Sequence, residues 1–331
     1  MVYLYRKLMG KKYYYYLRAS KKNKNKQITK DIAYLGNSLI EAKKNLEGLG
    51  LKKEEIRKSY KKISLMLEKN YFLEKIKEQK LKHDEYLKDD LEEVEACKYH
   101  FSKNFKKLDS LTKEEIINNF SMDFAYNTTS IEGNTISLKE AKYLLEEGKT
   151  PANKDLREIY DLQNTQKVFL SIFKIKKKLS HKLIQEIHKD LLRHVDLRIG
   201  YRIHDVRVFK SNFDSSPGIY VKTDMELLLD WYEKNKKLLH PFVLATIFHH
   251  KFEKIHPFAD GNGRTGRMLL NYILMQNNYP PVIISKIKRV EYLKNLSFCD
   301  AILLNETKKD YFKLVSFVAK ESIASYWNFF L

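Results

Sequence analysis

The chain has 331 residues, a formal net charge of +20, and a composition that is 43% apolar and 31% charged. This length and apolar content are enough to bury a core in one large domain with a smaller appendage, or in two domains. Eleven glycines and six prolines favour long helices with short connections over a many-turned β protein.

Cysteine usage and hydropathy narrow the class of protein further. Cys97 and Cys299 are far apart and lack a partner motif, so neither a disulfide framework nor a zinc site is expected. No apolar run approaches the length of a membrane span, and residues 1–17 lack the apolar core of a signal peptide. We therefore expect a cytoplasmic protein without a membrane partner.

Residues 1–36 predict a basic, aromatic β-hairpin. A tyrosine-rich strand at 13–17 is followed by a polar turn at 20–26 and a second strand at 27–35. Residues 1–50 carry 12 Lys and Arg against 3 Asp and Glu. Such a hairpin could bind nucleic acid through lysine contacts and tyrosine stacking, or it could be a small packing or dimerising element. No motif decides between these interpretations.

Residues 37–109 predict a charged helical region with two or three long helices. Ile56, Tyr60, Ile63 and Leu67 follow the three- and four-residue spacing of a buried helix face. We expect most charges in this region to face solvent. The helices could pair with each other or with a second subunit, which makes a homodimer a candidate assembly.

Residues 110–331 predict one compact helical domain. Capping boxes are expected at Thr112 with Glu115 and at Ser137 with Glu140. The expected helices cover about 113–130, 138–147, 153–173, 180–194, 223–237, 241–254, 263–277, 288–304 and 309–328. Within 200–222, the apolar residues Val206, Val208 and Phe209 and the run 219–221 instead predict a short hairpin.

The most informative stretch is residues 256–267, His-Pro-Phe-Ala-Asp-Gly-Asn-Gly-Arg-Thr-Gly-Arg. It precedes an apolar helix, so it opens a helix N-terminus, where backbone N–H groups and the helix dipole favour anions. Gly261 and Gly263 let the backbone approach a ligand closely. Arg264 and Arg267 project on one side and together suit several phosphate oxygens.

Two further side chains in this stretch suit catalysis beside a polyphosphate. Asp260 is a hard oxygen ligand of the kind that holds Mg²⁺. His256, in a segment stiffened by Pro257, is a natural base for a hydroxyl acceptor. Each residue alone would be read as ordinary structure, and their joint occurrence in twelve residues predicts a site.

Residues 256–267 resemble the signature of the Fic family, His-Pro-Phe-x-x-Gly-Asn-Gly-Arg-x-x-Arg, and match every specified position. Asp260 is the acidic residue usual in that signature. Segments 200–202 and 252–255 and the pair Pro280-Pro281 are also similar to the family. The resemblance covers about 110–328 and implies a mainly α fold, a Fic-type helical domain with a β-hairpin flap. An N-terminal β-hairpin and long helices would precede that domain.

The resemblance implies transfer of AMP from ATP to a Ser, Thr or Tyr hydroxyl of a protein target, including self-modification, with Mg²⁺ as cofactor. His256 would deprotonate the hydroxyl, Asp260 would hold Mg²⁺, and Asn262 with the loop N–H groups would stabilise charge on the α-phosphate. Gly261 and Gly263 would supply those loop N–H groups. Arg264 would contact the β-phosphate and Arg267 the γ-phosphate. The hairpin at 206–221 would align the target.

A second motif lies upstream, at 128–134. Thr128 and Glu132 resemble the inhibitory Ser/Thr-x-x-x-Glu-Gly/Asn pattern of the same family. The resemblance implies that Glu132 pairs with Arg267 and blocks the γ-phosphate position. A helix C-terminus capped by Gly133 or Asn134 would explain the same residues without inhibition.

Three alternatives remain open from the sequence. The same residues could remove AMP from a modified protein, with Glu132 aligning a water molecule. The phosphate-binding residues do not read the base, so another transferred group, such as UMP, GMP or phosphocholine, would fit as well. The basic hairpin could instead make the chain a nucleic-acid-binding regulator. Tyr292 is a further candidate for an adenine contact.

Overall fold

The structure is a computed structural model that describes residues 2–10, 12–23, 26–50, 54–206 and 215–331. The chain divides into two compact units, residues 1–81 and residues 82–330. The bounds 1–36, 37–109 and 110–331 drawn from the sequence stay a prediction. Among the described residues, no helix combines the length and apolarity needed to cross a membrane.

The first unit contains an antiparallel three-stranded sheet in the order β1-β2-β3 followed by two helices. Its elements are β1 (Val2–Met9), β2 (Lys12–Asn23), β3 (Lys26–Gly36), α1 (Leu39–Gly50) and α2 (Glu54–Lys77). The predicted hairpin is present as β2 and β3. Strand β1 was not predicted. Its first four residues alternate between buried and partly exposed, as in a strand with one face on the core.

One face of this sheet packs on the two helices. Leu4, Leu17 and Leu35 from the three strands share a core with Leu46 of α1 and Ile63 of α2. Burying an aliphatic side chain of this size contributes roughly 1.5–3 kcal/mol, so this core gives the first unit its own source of stability. The predicted helical spacing from Ile56 to Leu67 lies in this core as expected, because both residues are buried.

The second unit is helical. Its helices are α3 (Leu91–Lys103), α4 (Ser110–Ile131), α5 (Leu138–Glu147), α6 (Leu156–Lys174), α7 (His181–Leu191), α8 (Val221–Asn235), α9 (Pro241–Ile255), α10 (Asn262–Gln276), α11 (Arg289–Phe298) and α12 (Phe312–Phe329). Each helix predicted between 113 and 328 is present. Most ends differ by no more than three residues, but the helix predicted at 288–304 ends six residues earlier, at Phe298.

The two predicted capping boxes have different outcomes. At Ser137 the box is present: Glu140 N–H donates to Ser137 Oγ at 3.3 Å, and Ser137 N–H donates to Glu140 Oε2 at 2.7 Å. The box at Thr112 was wrong. Helix α4 begins a turn earlier, because Asp109 accepts the Thr112 N–H at 2.9 Å and is the better cap.

The predicted hairpin at 200–222 is corrected in its second half. Residues Gly218–Tyr220 form a 3₁₀ helix that leads into α8 at Val221. The apolar run is too short to select a strand, and Val221 instead belongs to the buried stripe continued by Met225 and Leu228. Val208 and Phe209 lie outside the described residues.

The α9–α10 pair forms the centre of the second unit and carries the signature between its helices. Helix α9 is buried from Phe242 to Phe252. Lys251 fixes it to the loop before α12, because its Nζ donates to the carbonyls of Leu303, Leu304 and Glu306 at 3.1, 2.8 and 2.6 Å. A buried lysine with these partners is satisfied without an acidic residue.

Candidate active site

The signature loop is bounded by two residues in the left-handed conformation. His256 ends α9 at φ 53°, and Gly261 precedes α10 at φ 75°. Between them Phe258 is fully buried and stacks on His188, with ring centroids 3.6 Å apart. His188 Nε2 also lies 3.0 Å from the carbonyl oxygen of Asp260. The loop is therefore held by packing at its centre and by backbone geometry at its ends.

Asn262 braces the same loop with its side chain. Its Oδ1 accepts the Phe258 N–H, and its Nδ2 donates to the Phe258 carbonyl, both at 2.8 Å. The side chain is buried, so both polar atoms are engaged with the main chain. At the first turn of α10, backbone N–H groups lack intrahelical partners, and this is the group type that binds anions there.

Each of the two glycines around Asn262 lies close to the end of a neighbouring side chain. A Cβ at Gly261 would overlap the Leu192 side chain, and the positive φ also favours glycine. A Cβ at Gly263 would overlap Glu132 Oε1. The close approach predicted at Gly263 is thus made by a carboxylate of the chain itself.

A cleft of about 320 Å³ opens beside this loop. Seven of the nine site residues proposed from the sequence line the cleft: Glu132, His256, Asp260, Gly261, Asn262, Gly263 and Arg264. Thr128 and Arg267 are buried, at 2% and 3% exposure, and line a smaller space together with Phe124 and Leu270. The structure therefore brings together all nine residues from two distant parts of the chain.

The charged groups of the cleft pair with one another. Arg264 Nη1 donates to Asp161 Oδ1, and its Nη2 lies 3.5 Å from Asp260 Oδ1. Arg157 Nη2 in turn donates to Asp260 Oδ2. Arg157 and Asp161 lie one turn apart on α6 and were missed by the sequence analysis. Their only signal is a polar pair at i and i+4, which is usually a solvated helix face.

Asp260 fits the role of a magnesium ligand. Its carboxylate lies in the cleft at 27% exposure, next to the helix N-terminus, and Oδ1 accepts the Gly261 N–H at 2.6 Å. In the part of the chain that the structure describes, no cluster of three or more His, Cys, Asp or Glu could hold a metal by itself. A single carboxylate suits Mg²⁺ when substrate phosphates provide further ligands.

Arg267 makes the contact that the second motif predicts. Its Nη2 donates to Glu132 Oε1 at 2.6 Å and to the Thr128 carbonyl at 3.0 Å, and its Nε donates to Thr128 Oγ1 at 2.6 Å. Desolvation of the carboxylate opposes ionisation of Glu132, but the charge of Arg267 and its hydrogen bond, together with the charge of Arg264, hold the Glu132 pKa below its ordinary value. The pair is therefore ionic.

The end of α4 holds Glu132 in this position. Arg289 Nε donates to the Ile131 carbonyl at 2.6 Å, and Asn134 Nδ2 donates to the Glu158 carbonyl at 2.9 Å. Glu132 itself caps α4, and its side chain remains 44% exposed. Its carboxylate thus reaches Arg267 from a fixed backbone while staying open to the cleft.

Three polar side chains, His249, Glu253 and Tyr292, form a largely buried cluster next to Arg267. The His249 Nε2 and Tyr292 Oη atoms are 2.6 Å apart, and His249 Nδ1 is 3.8 Å from Glu253 Oε1. Burial lowers the pKa of His249 to about 3 and raises that of Glu253 to about 8. Tyr292 is 1% exposed and does not line the cleft, so the suggested adenine contact is not supported.

His256 lies at the opposite side of the cleft with a lowered pKa. Burial is the main cause, and the charge of Arg202 acts in the same direction. The imidazole is therefore neutral at neutral pH and can accept a proton. Its Nδ1 lies 3.3 Å from the Glu253 carbonyl oxygen, which favours a proton on Nδ1 and makes Nε2 the nitrogen that can accept one.

Arg202 holds the backbone around His256. Its Nε donates to the His256 carbonyl at 2.8 Å, its Nη1 to the His204 carbonyl at 2.8 Å, and its Nη2 to the Ser216 carbonyl at 2.5 Å. The side chain is buried at 7% exposure. The sequence analysis noted 200–202 as similar to the family but gave Arg202 no role.

The raised pKa of Glu253 predicts a stability difference that depends on pH. The folded chain keeps a proton on Glu253 up to about pH 8, whereas the ordinary value is 4.5. This contribution is complete below pH 4.5 and is lost as pH rises through 8. We expect the wild type to lose stability relative to Glu253→Gln over this interval, measured by denaturant unfolding. Parallel profiles for the two proteins would contradict the assignment, and Glu226→Gln on the surface of α8 is the control.

The comparisons with known proteins agree with one another on the family. The model of the Fic/DOC family matches residues 178–274. The chain is 33% identical over 208 residues to protein adenylyltransferase fic-1 of Caenorhabditis elegans, covering 61% of this chain and 40% of that protein. It is 34% identical over 176 residues to protein adenylyltransferase Fic of Drosophila melanogaster, covering 50% and 35%. The chain thus matches less than half the length of these relatives.

Solved structures agree on the fold. A Fic-domain-containing signaling protein from Bacteroides thetaiotaomicron superposes with a TM-score of 0.64 at 25% identity, covering 71% of this chain and 95% of that one. A fragment of Fic-1 from Caenorhabditis elegans superposes with a TM-score of 0.59 at 26% identity, covering 88% and 82%. The family model, the relatives and the superposed structures lead to one conclusion: this chain contains a region, residues 178–274, that matches the Fic/DOC family.

Proposed function

We propose that this chain transfers AMP from ATP to a hydroxyl side chain of a protein, and that Glu132 restrains the reaction. The observation that carries the proposal is the arrangement of His256, Asp260 and Arg264 around the N-terminus of α10 in one cleft. The names of the relatives, protein adenylyltransferases, support the same reaction.

In the proposed complex, the N-terminus of α10 and the two arginines bind the triphosphate. Loop N–H groups contact the α-phosphate, Arg264 the β-phosphate and Arg267 the γ-phosphate. Asp260 would hold Mg²⁺, which neutralises phosphate charge when bound. Asp161 and Arg157 then act as exchange partners, because their ion pairs with Arg264 and Asp260 must loosen as the nucleotide binds.

The reaction needs a base for the target hydroxyl and a site that stabilises the negative charge on the α-phosphate. His256 removes the proton from the target hydroxyl as its oxygen bonds to the α-phosphorus. The bond from that phosphorus to the bridging oxygen breaks, and pyrophosphate leaves with the electron pair. Because the Asn262 side chain is bonded to Phe258, we assign to it the positioning of the loop, and to the backbone N–H groups the stabilisation of charge on the α-phosphate.

Self-inhibition follows from competition for Arg267. Glu132 and the γ-phosphate are both anions that neutralise the same buried guanidinium, and the two cannot occupy one side of it together. Glu132 is tethered through α4, so its effective concentration at Arg267 is high. Its exposed carboxylate also lies over Gly263, where a bound phosphate chain would pass. Thr128 remains on Arg267 in either state and keeps it oriented.

The first test is transfer of radioactivity from α-³²P-ATP to protein in the presence of Mg²⁺. We expect Glu132→Gly to label itself or added protein at least about tenfold more than the wild type. A tenfold change corresponds to about 1.4 kcal/mol of binding free energy that competition by Glu132 no longer opposes. The double variant Glu132→Gly, His256→Ala should give no label.

Two controls fix the interpretation of this experiment. Label from γ-³²P-ATP would indicate phosphoryl transfer rather than AMP transfer and would contradict the proposed reaction. Equal labelling of the wild type and Glu132→Gly would remove the inhibitory role while leaving the transferase intact. If no variant labels protein but the wild type releases AMP from a modified protein, the reverse reaction replaces the proposal.

Arg202 is proposed as a positioning residue, with a prediction of its own. In the Glu132→Gly background, Arg202→Met should lower kcat for AMP transfer roughly 100-fold, because the backbone of the base loses its anchor. The KM for ATP should change much less, since Arg202 does not line the cleft. Arg202→Lys should recover part of kcat.

Arg198 offers the matched control for this prediction. It lies four residues earlier, pairs with Asp196 and has a side chain that is 68% exposed. Arg198→Met should leave kcat close to that of the parent. An Arg202→Met variant that keeps full kcat, or that loses ATP affinity and kcat together, would show that Arg202 does not act through His256.

A further inference from the structure

The sheet of the first unit has a second face that does not pack on α1 and α2. Side chains alternate across a strand, and Leu4 and Leu17 point into the core. Their neighbours point the other way. The outward face therefore carries five partly or fully exposed tyrosines from all three strands, Tyr3, Tyr5, Tyr14, Tyr16 and Tyr34.

These tyrosines form a continuous aromatic surface, which we call the tyrosine face. The Tyr34 ring lies 5.2 Å from that of Tyr16 and 6.4 Å from that of Tyr14. Tyr5 is opposite Tyr16 in the register, so the surface continues onto β1. Tyr34 is 48% exposed. Large apolar patches of this kind on a protein surface mark binding sites.

The tyrosine face is combined with positive charge. Residues 1–36 contain ten Lys and Arg and one acidic residue, Asp31. Arg18 lies over the Tyr5 ring at 3.4 Å and pairs with Asp31 at 2.7 Å. Lys7 is exposed and stands opposite Tyr14 in the register. Cations therefore lie among the rings of the face.

Ring stacking and positive charge together select the ligand. A strand with negative phosphates and exposed base faces satisfies both, because aromatic side chains stack on bases and Lys and Arg contact the backbone. A duplex hides its base faces and offers only its phosphates. An acidic peptide offers charge but no regular series of flat rings. The geometry points to single-stranded nucleic acid.

We propose that the tyrosine face binds single-stranded nucleic acid, with bases stacked on Tyr16, Tyr34 and the Arg18 guanidinium that covers the Tyr5 ring, and with phosphates held by Lys7. The site lies on the sheet of the first unit and is independent of the transferase proposed for the second. Loss of either activity leaves the other proposal standing.

The test is fluorescence anisotropy of the full chain with a labelled single strand of about 20 nucleotides and mixed sequence, long enough for one such site. The matched competitor is the duplex of the same sequence. The triple variant Tyr5→Ala, Tyr16→Ala, Tyr34→Ala should weaken single-strand binding at least about tenfold, given the contribution of each stacked base. The matched triple Tyr→Phe variant keeps the rings and should bind within about threefold of wild type.

Salt dependence gives an independent measurement on the same samples. Binding should weaken as salt rises from about 50 to about 200 mM, and Lys7→Glu should reduce the slope of that dependence. Absence of binding at low salt would overturn the proposal. So would an equal affinity for the duplex, or an unchanged affinity of the triple alanine variant with the far-UV circular dichroism of the wild type.

Discussion

The cleft of the second unit is organised around the buried positive charge of Arg267. Arg267 is 3% exposed, and a guanidinium that deep must be paired and hydrogen-bonded, because an uncompensated buried charge is strongly unfavourable. Thr128 and Glu132 provide the partners, and both come from the last turn of α4, more than a hundred residues away in the chain. The contact that satisfies Arg267 therefore also holds the end of α4 against the start of α10.

The same principle governs the rest of the cleft, where the cationic groups already have anionic partners. Arg264 is shared by Asp161 and Asp260, and Arg157 completes the chain of pairs. In the proposed complex, a triphosphate would replace internal carboxylates by phosphate oxygens, and the net free energy of binding would be a difference between two sets of ion pairs. A small change in that difference, such as removal of Glu132, can then shift occupancy strongly. The exposed carboxylate of Glu132 makes it the partner that exchanges most easily.

Much of this could be predicted from the sequence, and the failures have identifiable causes. The signature residues 256–267 and the helix positions follow from local pattern, and the Glu132–Arg267 contact was inferred from two short motifs. Arg157 and Asp161 could not be found, since a polar pair on a helix face has no distinctive spacing until the fold turns it toward Asp260. Strand β1 was missed because only its first four residues alternate between buried and partly exposed, and its last four are exposed. The cap at Thr112 was misplaced because Asp109, a stronger cap, precedes it. The strand predicted at 219–221 does not form, because Val221 begins helix α8 and its buried stripe.

The most direct test of this account is the affinity of wild type and Glu132→Gly for ATP and for ADP, measured by isothermal titration calorimetry with Mg²⁺. ADP lacks the γ-phosphate that is proposed to compete with Glu132 for Arg267. We expect the substitution to strengthen ATP binding by about tenfold or more and to leave ADP binding nearly unchanged. An equal gain for both nucleotides, or no gain for ATP, would contradict the central role of the Glu132–Arg267 pair.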